Sequence, residues 1–450
     1  MRRMLATAVL VAFMPTANAQ DQGKAEVTHS AEYRARYWFM QNPTLNENTQ
    51  PGTDSFFNQR FKLGLNYRAN EQLMAHATLL HTATWGQTTG VAAVEDTSAA
   101  TTENLLTVNE AFVNWMTSED LTFRLGRQNY GFADGFVIGV NDWEPVPYSF
   151  EGVLGTYEAE FGRIQAFGFK LRDTQPGAAN TSASGDPEHN LYGLVFDLKT
   201  MPDWLKVINV HVLKHNNDAI LGSAGSTVNG QQGQDILRYG LHAAADFQIV
   251  DAKLWYAAQN GDNVDVAAGG ATTKRDSKGS MYQAELGLNF PDLMGSRFFA
   301  VYHVDSGDEE NSTDEDGQYD NFFYERHENA GLMDLFDWGN LTYITVGWTG
   351  KVTEATGVGV MYHMFSKTED GAGTTVTLGR FGTDYAIGNG DAAKDDLGDE
   401  IDVWASHTYG NGLMTTARVG YFMPGDVYDN ATTNKDDKLL QVMLEAKLTF

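Results

Sequence analysis

The last thirteen residues of the chain, Lys438–Phe450, constrain its fold more than any other stretch. Every second position is apolar, and the positions between are mostly polar. The apolar set is Leu440, Val442, Leu444, Ala446, Leu448 and Phe450, and the intervening set is Gln441, Met443, Glu445, Lys447 and Thr449. Period-two alternation over about ten residues predicts a strand with one face toward lipid and the other toward water. From this stretch alone, a strand of a soluble β-sandwich is the alternative.

The same alternation recurs along the chain and predicts about eighteen strands. Short connections such as 69–71 and 410–411 alternate with long polar ones such as 216–234 and 306–340. An up-and-down barrel with short periplasmic turns and long outer loops has this pattern, whereas Greek-key sandwiches mix their loop lengths. The sequence therefore predicts an all-β fold, a single transmembrane antiparallel up-and-down β-barrel of about eighteen strands.

The N-terminus indicates where this barrel resides. Arg2 and Arg3 precede an apolar run, 5–14, and a small-x-small cleavage motif, Ala17-Asn18-Ala19. This arrangement predicts a signal peptide over residues 1–19, followed by an outer-membrane barrel over residues 20–450. No other stretch approaches 18 consecutive apolar residues, so the expected location is the bacterial outer membrane, crossed many times by strands.

Composition excludes several classes of function. The chain has no cysteine, which rules out disulfides and thiolate metal sites. Its formal net charge of −28 argues against a nucleic-acid partner. No cofactor and no metal site is expected. The acidic stretch 305–320 is either a solvated loop or a calcium-binding loop, and its spacing matches no recognised calcium motif.

Once the apolar parity is assigned to lipid, the other parity faces the lumen. The predicted pore-lining residues are Arg34, Arg36, Arg60, Lys62, Arg124, Arg127, Gln128, Arg238 and Arg418. The predicted pore carboxylates are Glu32, Glu110, Glu400, Asp402 and Glu445. Strict alternation turns Arg127 outward, and its inclusion depends on a bulge at Gly126. The cations either form a path for anions or pair with these carboxylates. After closure of the ring, Glu445 is the carboxylate expected to neutralise part of the basic wall that Arg34 and Arg36 form.

The connection Asn129–Pro147 differs from the other outer loops because it carries many apolar residues, Phe136 and Trp143 among them. Exposed apolar side chains on a free loop are unfavourable. The loop is therefore expected either to fold into the barrel mouth or lumen as a constriction, or to pack against neighbouring loops.

The stretch Leu121–Val153 (LTFRLGRQNYGFADGFVIGVNDWEPVPYSFEGV) resembles the alginate-export family of outer-membrane barrels. Three later stretches are similar to that family too: YHVDSGD from Tyr302, HENAGLMDLFDWGN from His327, and 397–426 with its closing FMPGD. The resemblance implies an eighteen-stranded barrel that conducts a polyanionic uronate polysaccharide through an arginine-rich pore. Members specialised for polymer export have an extended periplasmic loop, whereas every predicted periplasmic turn here is short.

The expected function is an outer-membrane channel that passes anionic saccharides or small hydrophilic anions through a partly basic lumen. The alternatives are a general diffusion porin without saccharide specificity and a surface structural or adhesion barrel. No enzymatic activity is expected, because His81 and His407 have no evident catalytic partner motif. The expected partners are outer-membrane lipid and lipopolysaccharide, an anionic solute, and the barrel-assembly machinery, which reads C-terminal strands ending on an aromatic residue such as Phe450.

Overall fold

The computed structural model describes residues 25–43, 45, 52–85, 105–173, 188–217, 233–266, 272–309, 314–321, 323–327, 329–371, 375–381, 387, 390–429 and 437–450. The predicted signal peptide lies outside the described residues. The strands are β1 (Glu26–Gln41), β2 (Thr53–Arg68), β3 (Leu73–Thr84), β4 (Leu105–Met116), β5 (Leu121–Gln128), β6 (Phe150–Glu158), β7 (Gly162–Asp173), β8 (Glu188–Leu198), β9 (Leu205–Asn217), β10 (Gly233–Asp246), β11 (Val250–Val266), β12 (Thr272–Ser277), β13 (Ser280–Phe290), β14 (Ser296–Asp305), β15 (Glu315–Asp316), β16 (Leu341–Thr353), β17 (Thr356–Lys367), β18 (Asp396–Thr408), β19 (Leu413–Pro424) and β20 (Leu439–Thr449).

Eighteen of these described strands form a closed antiparallel ring, which confirms the predicted fold class. Each wall strand pairs with its neighbours in the chain, and β11 passes directly to β13 and β14 to β16. The short strands β12 and β15 lie outside this ring and extend the outer end of β11. The ring closes where β20 pairs with β1, from Glu32 opposite Thr449 to Gln41 opposite Leu440.

The two faces of the wall follow the predicted alternation. In β20, Gln441, Met443 and Glu445 are buried, whereas Leu444 between them is 49% exposed. The same outward exposure of apolar side chains recurs on other wall strands, for example at Val212 and Leu286. This apolar outer surface is the one that a barrel presents to lipid. Among the described residues, no helix is long and apolar enough to cross a membrane.

The connections alternate in length as predicted. Short turns at 69–72, 117–120 and 409–412 join strands at one end of the barrel, and the described chain also begins and finishes at that end. There the backbone N–H of Ala31 donates to the carbonyl of Phe450 at 2.7 Å.

Three of the long connections turn inward instead of projecting away from the barrel. They are the 129–149 loop, the 306–340 loop and the 368–395 loop, each named here for its described part. Their buried residues include Ile138, Met333 and Phe381, which pack in one apolar cluster with the inward Trp38 and Tyr343 of the wall. The main apolar core of this barrel therefore lies inside the ring, between the wall and these three loops.

Candidate functional site: the lumen at the strand seam

The 129–149 loop crosses the whole lumen. On one side Phe136 stacks on Trp255 of β11, with ring centroids 4.2 Å apart, and Phe132 lies 5.0 Å from His211 of β9. On the other side the loop reaches Arg34 of β1, which lies about opposite in a ring of eighteen strands. The structure therefore shows this loop folded into the lumen, where it also packs against another loop.

The loop also contacts a second infolded loop. The backbone N–H of Gly139 donates to the carbonyl of Phe323 at 2.6 Å, and that of Asn141 to a Glu325 carboxylate oxygen at 2.7 Å. The 129–149 and 306–340 loops are therefore joined by hydrogen bonds in the middle of the barrel, so that each restricts the movement of the other.

Charged side chains are concentrated where β19, β20, β1 and β2 meet. We call this set the seam cluster, and its members are Glu32, Arg34, Arg36, Arg60, Lys62, Arg418, Glu445 and Lys447. Arg36 Nε lies 2.6 Å from Glu445 Oε2, and Arg60 Nη2 lies 2.6 Å from Glu32 Oε1. Lys447 Nζ lies 3.2 Å from the other oxygen of Glu32. Glu445 therefore lies beside the seam cations as predicted, and Arg36, Arg60 and Lys447 are paired with carboxylates.

Three of the seam cations bind the infolded loop by its backbone. Arg34 donates to the carbonyls of Asp142, Trp143 and Glu144 at 2.8, 2.9 and 3.0 Å. Arg36 donates to Trp143 O at 2.6 Å, and Arg60 to Asp142 O and Glu144 O at 2.8 and 3.0 Å. Carbonyl oxygens satisfy guanidinium donors without cancelling their charge. All three arginines therefore hold the loop. Arg34 still contributes a positive potential, whereas Glu445 and Glu32 offset the charges of Arg36 and Arg60.

The Asp142 side chain adds a carboxylate to the same place. Its oxygens accept from Arg60 Nη2 at 3.0 Å and from Lys62 Nζ. Burial by itself raises the pKa of Asp142, but Arg60 and Lys62 outweigh that effect and hold the pKa well below its usual range. Asp142 is therefore ionised at neutral pH, and it neutralises one positive charge of the seam cluster.

Trp143 joins the seam cluster to the 306–340 loop. The Arg36 guanidinium carbon lies 3.6 Å from the indole centroid, and the His327 ring stacks on the indole at 3.4 Å with an interplanar angle of 2°. Asp334 accepts from Trp143 Nε1 at 3.0 Å and lies 2.8 Å from His327 Nδ1. Burial, followed by the charge of Glu144, raises the pKa of Asp334 well above its usual value.

Glu400 and Asp402 bind the backbone of the 306–340 loop, a role that differs from the pairing with lumenal cations predicted for the pore carboxylates. Glu400 Oε1 accepts from the backbone N–H of Met333 at 3.0 Å, and Asp402 Oδ2 accepts from that of Leu332 at 3.0 Å. Both carboxylates are fully buried on the inward face of β18. They fix the 306–340 loop to the wall much as the arginines fix the 129–149 loop on the other side of the seam.

The other predicted inward residues are spread around the lumen. Arg238 of β10 lies 3.4 Å from Asp320, and Glu110 of β4 lies 3.5 Å from His76. Gln128 is buried and donates to the carbonyl of Gly126 at 3.3 Å. These residues face the interior but are not part of the seam cluster.

The prediction that Arg127 lines the pore is wrong. The pairing of β5 with β4 and β6 runs through Gly126 without a register shift, so no bulge turns the next residue inward. Arg127 stays on the outward face with Leu125, where its Nη1 lies 3.0 Å from Glu151 Oε1. Gly126 has φ +125°, yet its effect is local and leaves the alternation unchanged.

Sequence reasoning missed three residues that complete the site. Arg380 of the 368–395 loop lies 2.8 Å from Glu144, whereas His327 and Asp334 surround Trp143. His327 and Asp334 lie within HENAGLMDLFDWGN, a stretch that the family resemblance singled out. No spacing rule assigns loop residues to a lumen, because alternation applies only within strands.

A closed antiparallel barrel with an apolar outer face and a charged lumen crossed by its own loops defines the class of transmembrane β-barrel proteins of the outer membrane. The sequence profile for alginate export matches residues 26–441. The chain therefore belongs to the alginate-export family, a family of outer-membrane β-barrel proteins, and together these findings support an outer-membrane channel. No curated protein matches the chain significantly.

Solved structures resemble the whole barrel. OccK8 (OprE) of Pseudomonas aeruginosa is 14% identical, with a TM-score of 0.59 over 94% of this chain and 98% of that chain. OccK3 (OpdO) of the same organism is 12% identical, with a TM-score of 0.58 over 94% and 96%. The outer membrane protein OpdK, also from Pseudomonas aeruginosa, is 10% identical, with a TM-score of 0.57 over 94% and 99%. At such low identity these similarities show the fold alone.

Proposed function

We propose that the protein is a passive channel that admits small hydrophilic anions, anionic saccharides among them, through a partly basic lumen. The excess of cations over carboxylates in the seam cluster carries this proposal. Six cations stand there against two carboxylates of the wall, and Asp142 adds a third carboxylate from the loop. A low-dielectric wall focuses such a field into the lumen and raises the local concentration of anions.

The contacts of Arg34 support a positive electrostatic potential that its hydrogen-bond partners do not neutralise. Arg34 donates to three backbone carbonyls and has no carboxylate within ion-pair distance among the described residues. Because these hydrogen bonds leave its charge in place, the guanidinium attracts anions while it holds the loop. The positive potential is then located at the loop that crosses the lumen, where a solute has to pass.

A general diffusion pore without anion preference is the second candidate. It is favoured by the pairing of charges elsewhere in the barrel, since Arg297 lies 2.6 Å from Asp251 and 2.5 Å from Glu285, and Arg163 lies 2.7 Å from Asp197. At these positions the lumen presents paired charges, which favour neither anions nor cations. A surface structural or adhesion barrel is the third candidate.

We further propose a route by which the protein is exported and assembled in the outer membrane. A leader over residues 1–19 exports a barrel of residues 20–450, and the C-terminal strand is read by the barrel-assembly machinery. Lipopolysaccharide covers the outer leaflet around the wall. No catalytic step is proposed, and the solute moves down its own gradient.

Planar-bilayer recording tests the function. In a KCl gradient we expect an ohmic conductance whose reversal potential indicates anion preference. Lys447→Gln and Lys62→Gln, which remove seam charges without touching the carbonyl bonds of the loop, should each shift that potential toward zero. The matched control is Arg127→Gln, because Arg127 lies outside the lumen and its loss should change nothing. A cation preference, or no current from correctly folded protein, contradicts the proposal.

A further inference from the structure

A cavity of about 370 Å³ lies between the 129–149 loop and the short-turn end of the barrel, and it is separate from the seam cluster. Tyr130 contributes to its lining from the loop, and Asn114 and Thr122 do so from the wall ends next to the turn 117–120. Its volume falls within the range of about 300–1,000 Å³ that small-molecule sites occupy. The cavity is thus large enough for one small solute.

Arg124 is the cation that this cavity leaves available. Its Nε donates to Asn114 Oδ1 at 2.9 Å, and its guanidinium carbon lies 4.3 Å from the centroid of Phe112. Within the described part of the chain, neither of its terminal nitrogens has a hydrogen bond or a carboxylate within 4.0 Å. Arg34 and Arg60 differ in this respect, because both of their terminal nitrogens bind the loop or a carboxylate. Arg36 also differs, because its Nε binds Glu445 and its Nη1 binds the loop.

The nearby carboxylate is engaged elsewhere. Glu110 accepts from the backbone N–H of Asn129 at 3.1 Å and lies 3.5 Å from His76. The second guanidinium of the lining, Arg163, binds Asp197 through Nε and Nη2 at 2.9 and 2.7 Å. The described cavity lining therefore contains no carboxylate. The two terminal nitrogens of Arg124 remain there as a pair of parallel donors without an acceptor.

The remaining lining groups suit hydroxyl groups of a solute. Gln165 Nε2 donates to Thr156 Oγ1 and its Oε1 accepts from the Tyr130 hydroxyl, both at 3.4 Å. Bonds of this length are weak, so a solute hydroxyl of better geometry can replace them. Thr122 adds one more hydroxyl, which can donate or accept.

We infer that this cavity is a binding subsite for one small hydroxylated carboxylate, a monomeric unit rather than a polymer. Arg124 takes the carboxylate through its two terminal nitrogens, since the planar fork matches carboxylate geometry. The amide and hydroxyl side chains take the hydroxyl groups. The inference rests on the proposed channel function, because the solute reaches the cavity through the lumen, and it specifies which solutes are held on the way.

Calorimetric titration of the detergent-solubilised barrel with sodium gluconate tests the site without requiring current. Gluconate should bind more tightly than acetate, which lacks hydroxyl groups, and than glucose, which lacks the charge. Arg124→Gln should weaken gluconate binding at least about tenfold, as expected for the loss of a charge-assisted contact. Arg124→Lys should lose most of the same affinity, because a point charge cannot form the bidentate pair.

Arg127→Gln, three residues along the same strand and outside the lumen, is the matched control and should bind gluconate like the wild type. Transient blocks of the bilayer current by gluconate should disappear in the same Arg124 variants. Equal binding of gluconate and acetate, or unchanged binding by folded Arg124→Gln protein, overturns the subsite. A conducting wild type that does not bind gluconate overturns the subsite alone, whereas absence of conductance with intact binding overturns only the channel function.

Discussion

Arg36 and Glu445 join the first and last strands of the barrel across its closing seam, with Nε and Oε2 2.6 Å apart. They are register partners in the β1–β20 pairing, and their side chains are only 3% and 7% exposed. Removing one partner of a buried ion pair leaves the other charge without compensation. The stability of the closing seam therefore depends on both residues.

Glu445→Leu should lower the free energy of unfolding by about 3 kcal/mol, because Arg36 then stays buried without its carboxylate. Urea unfolding in lipid vesicles measures this change. The double variant Arg36→Met/Glu445→Leu should recover part of the loss, since neither charge remains. Lys447→Met is the control, because its ion pair with Glu32 is more exposed and contributes less than about 1 kcal/mol. Equal losses in the two single variants would contradict this assignment.

Arg34→Met should release the 129–149 loop, because three hydrogen bonds to consecutive carbonyls disappear together. We expect faster proteolytic cleavage within 129–149 and larger open-channel current fluctuations. Arg34→Lys should give an intermediate result, since one ammonium cannot reach three carbonyls in the geometry of a guanidinium. Cleavage and noise at the wild-type level in Arg34→Met would show that other contacts are sufficient to hold the loop.

The contact between the 129–149 and 306–340 loops, made by Trp143 and Asp334, should weaken as the pH rises. The pKa of Asp334 is raised in the folded protein, above the value of about 3.9 in an unfolded chain. Between these two pKa values the folded state holds the proton and the unfolded state does not, so stability falls as the pH increases through that range. The charged groups that act on Asp334 include Glu144, Arg380 and Arg418. Asp337 and Glu400 also interact with its charge, and His327 Nδ1 lies 2.8 Å from its carboxylate.

Asp334→Asn should remove this pH dependence, because the amide oxygen still accepts from Trp143 while no charge is buried. Cleavage of the 306–340 loop by a protease active from pH 5 to 8 measures the effect in both proteins. Identical pH profiles for wild type and variant would exclude Asp334 as the titrating group.

Gly126→Ala should destabilise the barrel by more than about 1 kcal/mol. Gly126 has φ +125°, and an added Cβ would lie 2.3 Å from the carbonyl oxygen of Ala111 on β4. Gly410→Ala is the matched control, because nothing lies within 4 Å of an added Cβ in that turn. Urea unfolding should separate the two variants clearly, and a neutral Gly126→Ala would mean that β5 shifts at little cost.

The sequence predicted the wall of the barrel well because the pattern of a strand is set by residues that are close together in the chain. Alternation fixes which side chains share a face, and so Arg34, Arg36 and Glu445 could be assigned to the lumen from parity alone. The alternation of short and long connections likewise gave the antiparallel ring and its closure by the last strand. The same rule turned Arg127 outward, and the bulge proposed at Gly126 to reverse it is absent.

The partners of those lumenal side chains were decided by the tertiary structure. Arg34 bonds the carbonyls of Asp142–Glu144, and Glu400 bonds the amide of Met333, because two long connections fold inward. A loop has no sequence period from which the direction of each side chain can be predicted. The path of these loops depends on packing against residues that can be more than a hundred positions away. The sequence by itself therefore determined the barrel and the side of the wall on which each charge lies. Only the tertiary structure decided which charges hold the loops, and within the described part of the chain it leaves the terminal nitrogens of Arg124 open to the solute that we propose.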